Sequence, residues 1–273
     1  MPNADILIMA ILRGVSEILP IDPEAHFALI VRLFCWGGGG HLTAAAGSGG
    51  LFAALLLYFW RDVLQMLRSF LRVLRGKRDP GAKLILHLLA ASVPAFAITF
   101  GLRAFLDVTI GEPIYIAVLL VAFGVVLYVA DQAGLTVRRM QQMNLRQALI
   151  IGVFQGLAVL PGVSRIGIVI TVARTLGYER PDAARFMLLL SIPWMLASGL
   201  YSAWAGIAGG EVPDYDRILL TAAVSGLSGF LAIAFFMYWV RRGSFTLFAL
   251  YRVALGGALI YALYSLPGLA CSS

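Results

Sequence analysis

The chain has 273 residues, 60% of them hydrophobic and 13% charged, with a mean hydropathy of +0.89. That composition excludes an ordinary soluble domain and points to a polytopic membrane protein. The net charge of +7 does not argue for a nucleic acid partner, because the basic residues cluster in short loops between apolar runs, where membrane orientation explains them.

The chain opens on MPNADILIMAILRGVSEILP, which lacks a basic leader and whose apolar stretch is interrupted by Arg13 and Glu17, so it reads as part of the mature fold rather than a cleaved signal. A Leu-Pro break at Pro20 and a second apolar half-helix follow. Cys35 and Cys271 have neither C-x-x-C nor metal-ligand spacing and read as small apolar fillers. Spans are expected at 42–60, 84–102, 113–129, 186–205, 218–240 and 245–266, six in all.

Between the first two spans, 61–83 carries seven Lys or Arg, with Arg61, Arg68, Arg72 and Arg75 opposite Val63, Met66, Leu67, Phe70 and Leu74. This is the pattern of an interfacial helix lying against anionic headgroups. Residues 136–146 carry three more basic residues, and Arg241 and Arg242 follow the fifth span, so these loops are expected in the cytoplasm. The loops 103–113 and 210–216, with Asp107, Glu112, Glu211, Asp214 and Asp216, are expected outside.

On that count the region 147–180 must enter the membrane and return. It repeats the form of the first: AILRGVSEILPIDPEAHFALIV and IIGVFQGLAVLPGVSRIGIVIT each place a Leu-Pro break between two apolar half-helices. Three spans follow each, and because three is odd the second unit should lie inverted relative to the first. The expectation is an all-α polytopic membrane protein in one domain, 1–273. Its two halves, about 1–134 and 147–267, would each be a broken re-entrant helix pair plus three transmembrane helices.

The segment LPGVSRIG, 160–167, carries the functional argument. An arginine at the bilayer centre costs about 3 kcal/mol on insertion scales, so Arg165 needs a compensating partner. A half-helix starting near Ser164 would point its N–H groups and positive dipole end into an enclosed cavity, with Arg165 beside them. Gly162 would let the backbone approach closely, and phosphate fits such a site best. The alternative for Arg165 is a structural ion pair inside the bundle. At the first break His26 follows Asp-Pro-Glu at the mouth of a half-helix, where it reads as functional rather than as a core histidine; His41 and His87 read as structural. Glu17 is either catalytic or the i,i+4 ion-pair partner of Arg13. Asp22 reads as a helix cap, and Glu24 shares that turn.

At these residues the chain resembles the undecaprenyl-diphosphate phosphatase (bacitracin-resistance protein) family. LPGVSRIG resembles its P-G-x-S-R-S-G-x-T motif and SEILPIDPEAH its E-F-L-P-[IV]-S-S-x-G-H motif, while AAGSGGLFAALLLYFWRDV and RFMLLLSIPWML are also similar. The resemblance implies hydrolysis of the terminal phosphate of a C55 polyprenyl diphosphate at the outer face of the bacterial inner membrane, helped by a divalent cation, Mg²⁺ or Ca²⁺. It implies catalytic roles for Glu17, His26, Ser164 and Arg165; the residues themselves add the expectation that Arg165, Ser164, Gly162 and Arg13 hold phosphate and that Glu17 and Glu24 hold the cation. The partners so implied are that lipid and the surrounding membrane lipids, with a homodimer allowed.

Several positions depart from the pattern. Arg13 stands where the family has a glutamate, Asp22 and Pro23 where it has serines, Ile166 and Val169 where it has a serine and a threonine, and Ala45 where it has a glutamine. Loss of one carboxylate removes half of a cation clamp, and Arg13 could replace the metal's charge. His26, or a water it activates, is then the attacking group. The alternative to an enzyme is a carrier that binds a polyprenyl phosphate between the repeats and moves it without hydrolysis.

Overall fold

Long apolar runs with few breakers form helices because no water in the bilayer can satisfy an open backbone. The computed structural model describes residues 4–34, 36, 39–75, 79, 81–103 and 112–265. Cys35, Asp107 and Cys271 lie outside the described residues. Eleven α-helices follow in order among those described: α1 (Ala4–Ser16), α2 (Pro23–Phe34), α3 (Gly40–Tyr58), α4 (Trp60–Leu74), α5 (Ala82–Arg103), α6 (Pro113–Ala133), α7 (Leu145–Gly156), α8 (Arg165–Thr175), α9 (Arg180–Ala208), α10 (Tyr215–Trp239) and α11 (Thr246–Ser265). Six of them, α3, α5, α6, α9, α10 and α11, are long and apolar enough to cross a membrane, at the six positions expected.

The short apolar helices α1, α2, α7 and α8 have 13, 12, 12 and 11 residues. At about 1.5 Å per residue none reaches across a hydrocarbon core of roughly 30 Å. They therefore end at membrane depth; α8 is buried along its length, while α1 and α7 each keep an exposed apolar face, at Ile8 and Ile11 and at Leu149 and Val153. α1 packs on α10 and α7 on α5; α3 lies against α9 and α10; α6 lies against α11 and α8. Small residues permit the close crossings, as expected where lipid supplies no hydrophobic drive between helices. A Cβ on Gly50 of α3 would fall 2.1 Å from the carbonyl oxygen of Ala222 on α10, and one on Gly152 of α7 would fall 2.1 Å from that of Ala91 on α5.

α4 is the amphipathic helix expected. Val63 and Met66 pack on the core, while Trp60, Leu67, Leu71 and Leu74 stay exposed along its length. The 210–216 loop pins the start of α3, because the Glu211 carboxylate accepts the N–H groups of His41 (2.7 Å) and Leu42 (2.9 Å). Those two bonds hold its pKa below the usual carboxylate value.

At the end of the bundle bearing the basic loops, Asp131 ties four helices together. Its Oδ1 accepts from Arg174 Nε (3.0 Å) and Arg180 Nε (2.8 Å), and its Oδ2 from the Phe245 N–H (3.0 Å). Both Asp131 and Arg174 are 1% exposed. Asp131→Ala leaves Arg174 buried without its counter-charge and should destabilise the protein by about 3–5 kcal/mol. Thermal unfolding in detergent checks this, and a midpoint equal to wild type would show that the carbonyls of Asp131 and Gly134, which Arg174 also reaches, suffice alone.

Candidate active site

The two chain breaks meet. Each contains a non-glycine residue with positive φ, Asp22 at 67° and Ser164 at 58°, backbone states held only by surrounding contacts. Asp22 supplies those contacts for both. Its Oδ2 accepts the Ala25 N–H (3.0 Å) and caps α2, as expected; its Oδ1 accepts the Ser164 N–H (3.1 Å) from the opposite break. Gly162 turns at φ 93°, where a Cβ would come within 2.5 Å of the Ile116 carbonyl oxygen, so the close approach requires glycine.

Ser164 is the N-cap of α8. Its Oγ accepts the Gly167 N–H (3.2 Å) and its carbonyl the Ile168 N–H (2.9 Å). The N–H groups of Arg165 and Ile166 have no acceptor among the described residues. The first turn of a buried helix thus presents open donors and the positive end of its dipole, the arrangement that binds anions.

Two buried guanidinium groups approach the same turn. Arg165 donates from Nη1 to Ser191 Oγ (2.8 Å) and lies over Trp194, 5.5 Å from the ring centroid, while its Nη2 has no hydrogen-bond partner. The Glu17 carboxylate stands 3.9 Å from that Nη2. Arg252 of α11, fully buried, donates from Nη2 to the carbonyls of Gly162 (2.8 Å) and Val163 (3.0 Å), bracing the loop before Ser164. Its Nε and Nη1 are unpartnered, and Nη1 lies where a Cβ on Gly167 would be 2.3 Å away. Buried donors without acceptors are rare, and they mark this turn as a place where an anion would be held.

His26 stands at the facing break, 7% exposed. Its Nδ1 lies 2.6 Å from the Asp22 carbonyl oxygen and its Nε2 2.7 Å from the Tyr251 hydroxyl. A carbonyl only accepts, so Nδ1 carries the proton and Nε2 presents its lone pair to the Tyr251 O–H. The tautomer that a proton-accepting Nε2 needs is fixed by the backbone.

Glu17, Ser164, Arg165 and Gly162 therefore lie at the meeting of the breaks, and His26 is tied to it through the Asp22 carbonyl, with its Nε2 facing Tyr251 of α11. Arg13 points elsewhere. Its Nη1 donates to the Ala44 carbonyl (3.4 Å), its guanidinium lies 5.4 Å from the Phe27 ring centroid, and it lines a small cavity of about 60 Å³ with Asp5 and Thr221. No ion pair joins it to Glu17 among the described residues; Glu17 pairs with Arg165 instead. Glu24 sits exposed in the first turn of α2.

The divalent cation implied by the resemblance needs a set of oxygen ligands. Among the described residues no three His, Cys, Asp or Glu side chains come together. Both Asp22 oxygens are taken by N–H groups, Glu17 faces a guanidinium, and the residue one turn before Glu17 is Arg13, which brings a positive charge instead of a second carboxylate. This donor set does not fit a clamp of two carboxylates on a metal.

Sequence reasoning missed Arg252, Tyr251, Ser191 and the bridging role of Asp22. Arg252 carried the same signal as Arg165, an arginine inside an apolar run; a tyrosine, a serine or a cap carries none.

Comparison with known proteins adds the chemistry. Residues 6–258 match the model of the family described as Bacitracin resistance protein BacA. The chain is 39% identical over 274 residues to Undecaprenyl-diphosphatase 1 of Rhodospirillum rubrum, covering 97% of this chain and 96% of the relative. It is 35% identical over 260 residues to Undecaprenyl-diphosphatase 1 of Paramagnetospirillum magneticum, covering 95% and 97%. It is 37% identical over 254 residues to Undecaprenyl-diphosphatase of Desulforudis audaxviator, covering 93% and 95%.

Proposed function

The chain belongs to the bacitracin resistance protein BacA family, and we propose that it hydrolyses undecaprenyl diphosphate to undecaprenyl phosphate and inorganic phosphate, recycling the lipid carrier of cell-wall synthesis. The observation that carries this reading is the open first turn of α8, which starts at Arg165 with its unpartnered Nη2 and has the unpartnered Nη1 of Arg252 beside Gly167. The oriented Nε2 of His26 completes it from the other break.

Phosphoryl transfer asks the protein mainly to position the phosphates and offset their charge. In this reading Arg165 and the N–H groups of Arg165 and Ile166 hold the diphosphate oxygens, while Arg252 keeps the Gly162–Ser164 turn in register. A water, taking the place of the Tyr251 hydroxyl beside Nε2, loses its proton to His26 as its oxygen attacks the terminal phosphorus. The bridging P–O bond breaks, and the leaving lipid phosphate keeps its charge against the same donors. Glu17 holds Arg165 in place from across the gap.

We place the protein in the bacterial inner membrane with its basic loops cytoplasmic. The packing of α1 on α10 and of α7 on α5 supports a two-fold relation of the halves, inverted in this reading because an odd number of spans follows each break.

The test is phosphate release from undecaprenyl diphosphate by purified protein in detergent, with and without Mg²⁺. Turnover is expected in both conditions, because the donor set does not fit a clamp of two carboxylates. Arg13→Glu puts a carboxylate one helical turn from Glu17, and should make turnover rise more steeply with Mg²⁺. Identical Mg²⁺ curves for both forms would show that position 13 does not bear on the cation; binding without any release would replace hydrolysis by lipid carriage.

A further inference from the structure

A second polar cavity, of about 360 Å³, lies at the basic-loop end of the bundle and shares no residue with the site above. It is walled by α4, the start of α5, the turn at 140–142 and Arg185 of α9, and its polar lining includes Asp62, Gln65, Lys83, His87, Gln141 and Arg185. Arg185 is paired with Asp62, so those two charges cancel. Lys83 is exposed and makes no ion pair among the described residues, and His87, 8% exposed, makes no hydrogen bond among them. The cavity thus holds one net positive charge together with uncharged polar groups.

Lys83 stands at the edge of an apolar stripe that faces outward from α5, with Leu86 as its i,i+3 neighbour. Leu86, Leu89 and Val93 of α5 are 54%, 54% and 67% exposed along the helix that carries Lys83 and His87. We propose that this cavity seats the headgroup of an anionic phospholipid of the adjoining leaflet, its phosphodiester against Lys83 and His87 and its acyl chains along Leu86, Leu89 and Val93. Basic pockets between membrane helices on the cytoplasmic side bind such headgroups, and a phosphodiester's single negative charge matches the single uncancelled lysine. Free phosphate shares the chemistry of the headgroup but would leave the apolar stripe unused.

Native mass spectrometry of the full chain, released from micelles doped with phosphatidylglycerol or phosphatidylcholine, tests the assignment. Wild type should retain phosphatidylglycerol and release phosphatidylcholine. Lys83→Glu should weaken retention about tenfold or more, since each basic residue near a membrane surface contributes on the order of a factor of five. Lys83→Gln should fall between, and Lys83→Arg should resemble wild type. Unchanged phosphatidylglycerol retention in both Lys83→Glu and Lys83→Gln overturns the proposal, as does displacement of the lipid by millimolar inorganic phosphate, which would make the cavity a site for the soluble anion. Phosphate release from undecaprenyl diphosphate should stay at the wild-type rate in each variant, which separates failure here from failure of the hydrolytic reading.

Discussion

His26→Ala is expected to lower kcat by roughly 10²–10⁴-fold, the usual range for losing a positioned general base. The basis is geometric. Nδ1 is committed to the Asp22 carbonyl at 2.6 Å, leaving Nε2 as the ring atom able to accept a proton. Ser164→Ala should lose less, because Ser164 Oγ is occupied in accepting the Gly167 N–H; its removal should chiefly weaken the cap of α8, by about 1 kcal/mol. Tyr251→Phe removes the hydroxyl that covers Nε2 while keeping the ring, and should change turnover far less than His26→Ala. Single-turnover phosphate release by the three variants, with thermal midpoints as a folding control, decides the order. Equal losses for His26→Ala and Ser164→Ala would move the reacting group to Ser164.

The spans were legible in the sequence because lipid imposes length and apolarity on them, and Pro20 and Pro161 exposed the broken helices for the same reason. What meets across the breaks was not legible. The i,i+4 spacing of Arg13 and Glu17 suggested an ion pair, and the backbone keeps that turn, with the Glu17 N–H on the Arg13 carbonyl at 3.0 Å. Yet the Glu17 carboxylate faces Arg165, 148 positions further on, since a buried guanidinium has more to gain from a counter-charge than a residue that can lie on Phe27. Asp22 was read as a local cap, which it is. Its second oxygen has no local partner, and only the fold brings Ser164 to it. Arg252 shows a different limit: the run 245–266 is long and apolar enough to meet the criteria of a plain span even with an arginine inside it.

Arg165→Ala should reduce both affinity for a non-hydrolysable diphosphate analogue and turnover, with a loss in kcat/KM of at least 100-fold, about 3 kcal/mol, as expected when a charge-assisted donor is removed from a dry site. Arg165→Lys should recover only part of that. An ammonium cannot hold Ser191 Oγ with one nitrogen and offer a second to phosphate in the same plane, as Nη1 and Nη2 do. Arg252→Lys makes the contrasting case. Arg252 also braces the turn through the carbonyls of Gly162 and Val163, so its replacement should lower the thermal midpoint as well as turnover, whereas Arg165→Lys should leave the midpoint nearer wild type. Analogue binding by calorimetry and thermal unfolding, measured on the same preparations, separate the two roles. Tight analogue binding to Arg165→Ala would put the phosphate on Arg252 and the first turn of α8 alone, and Arg165 would then be the structural partner of Glu17.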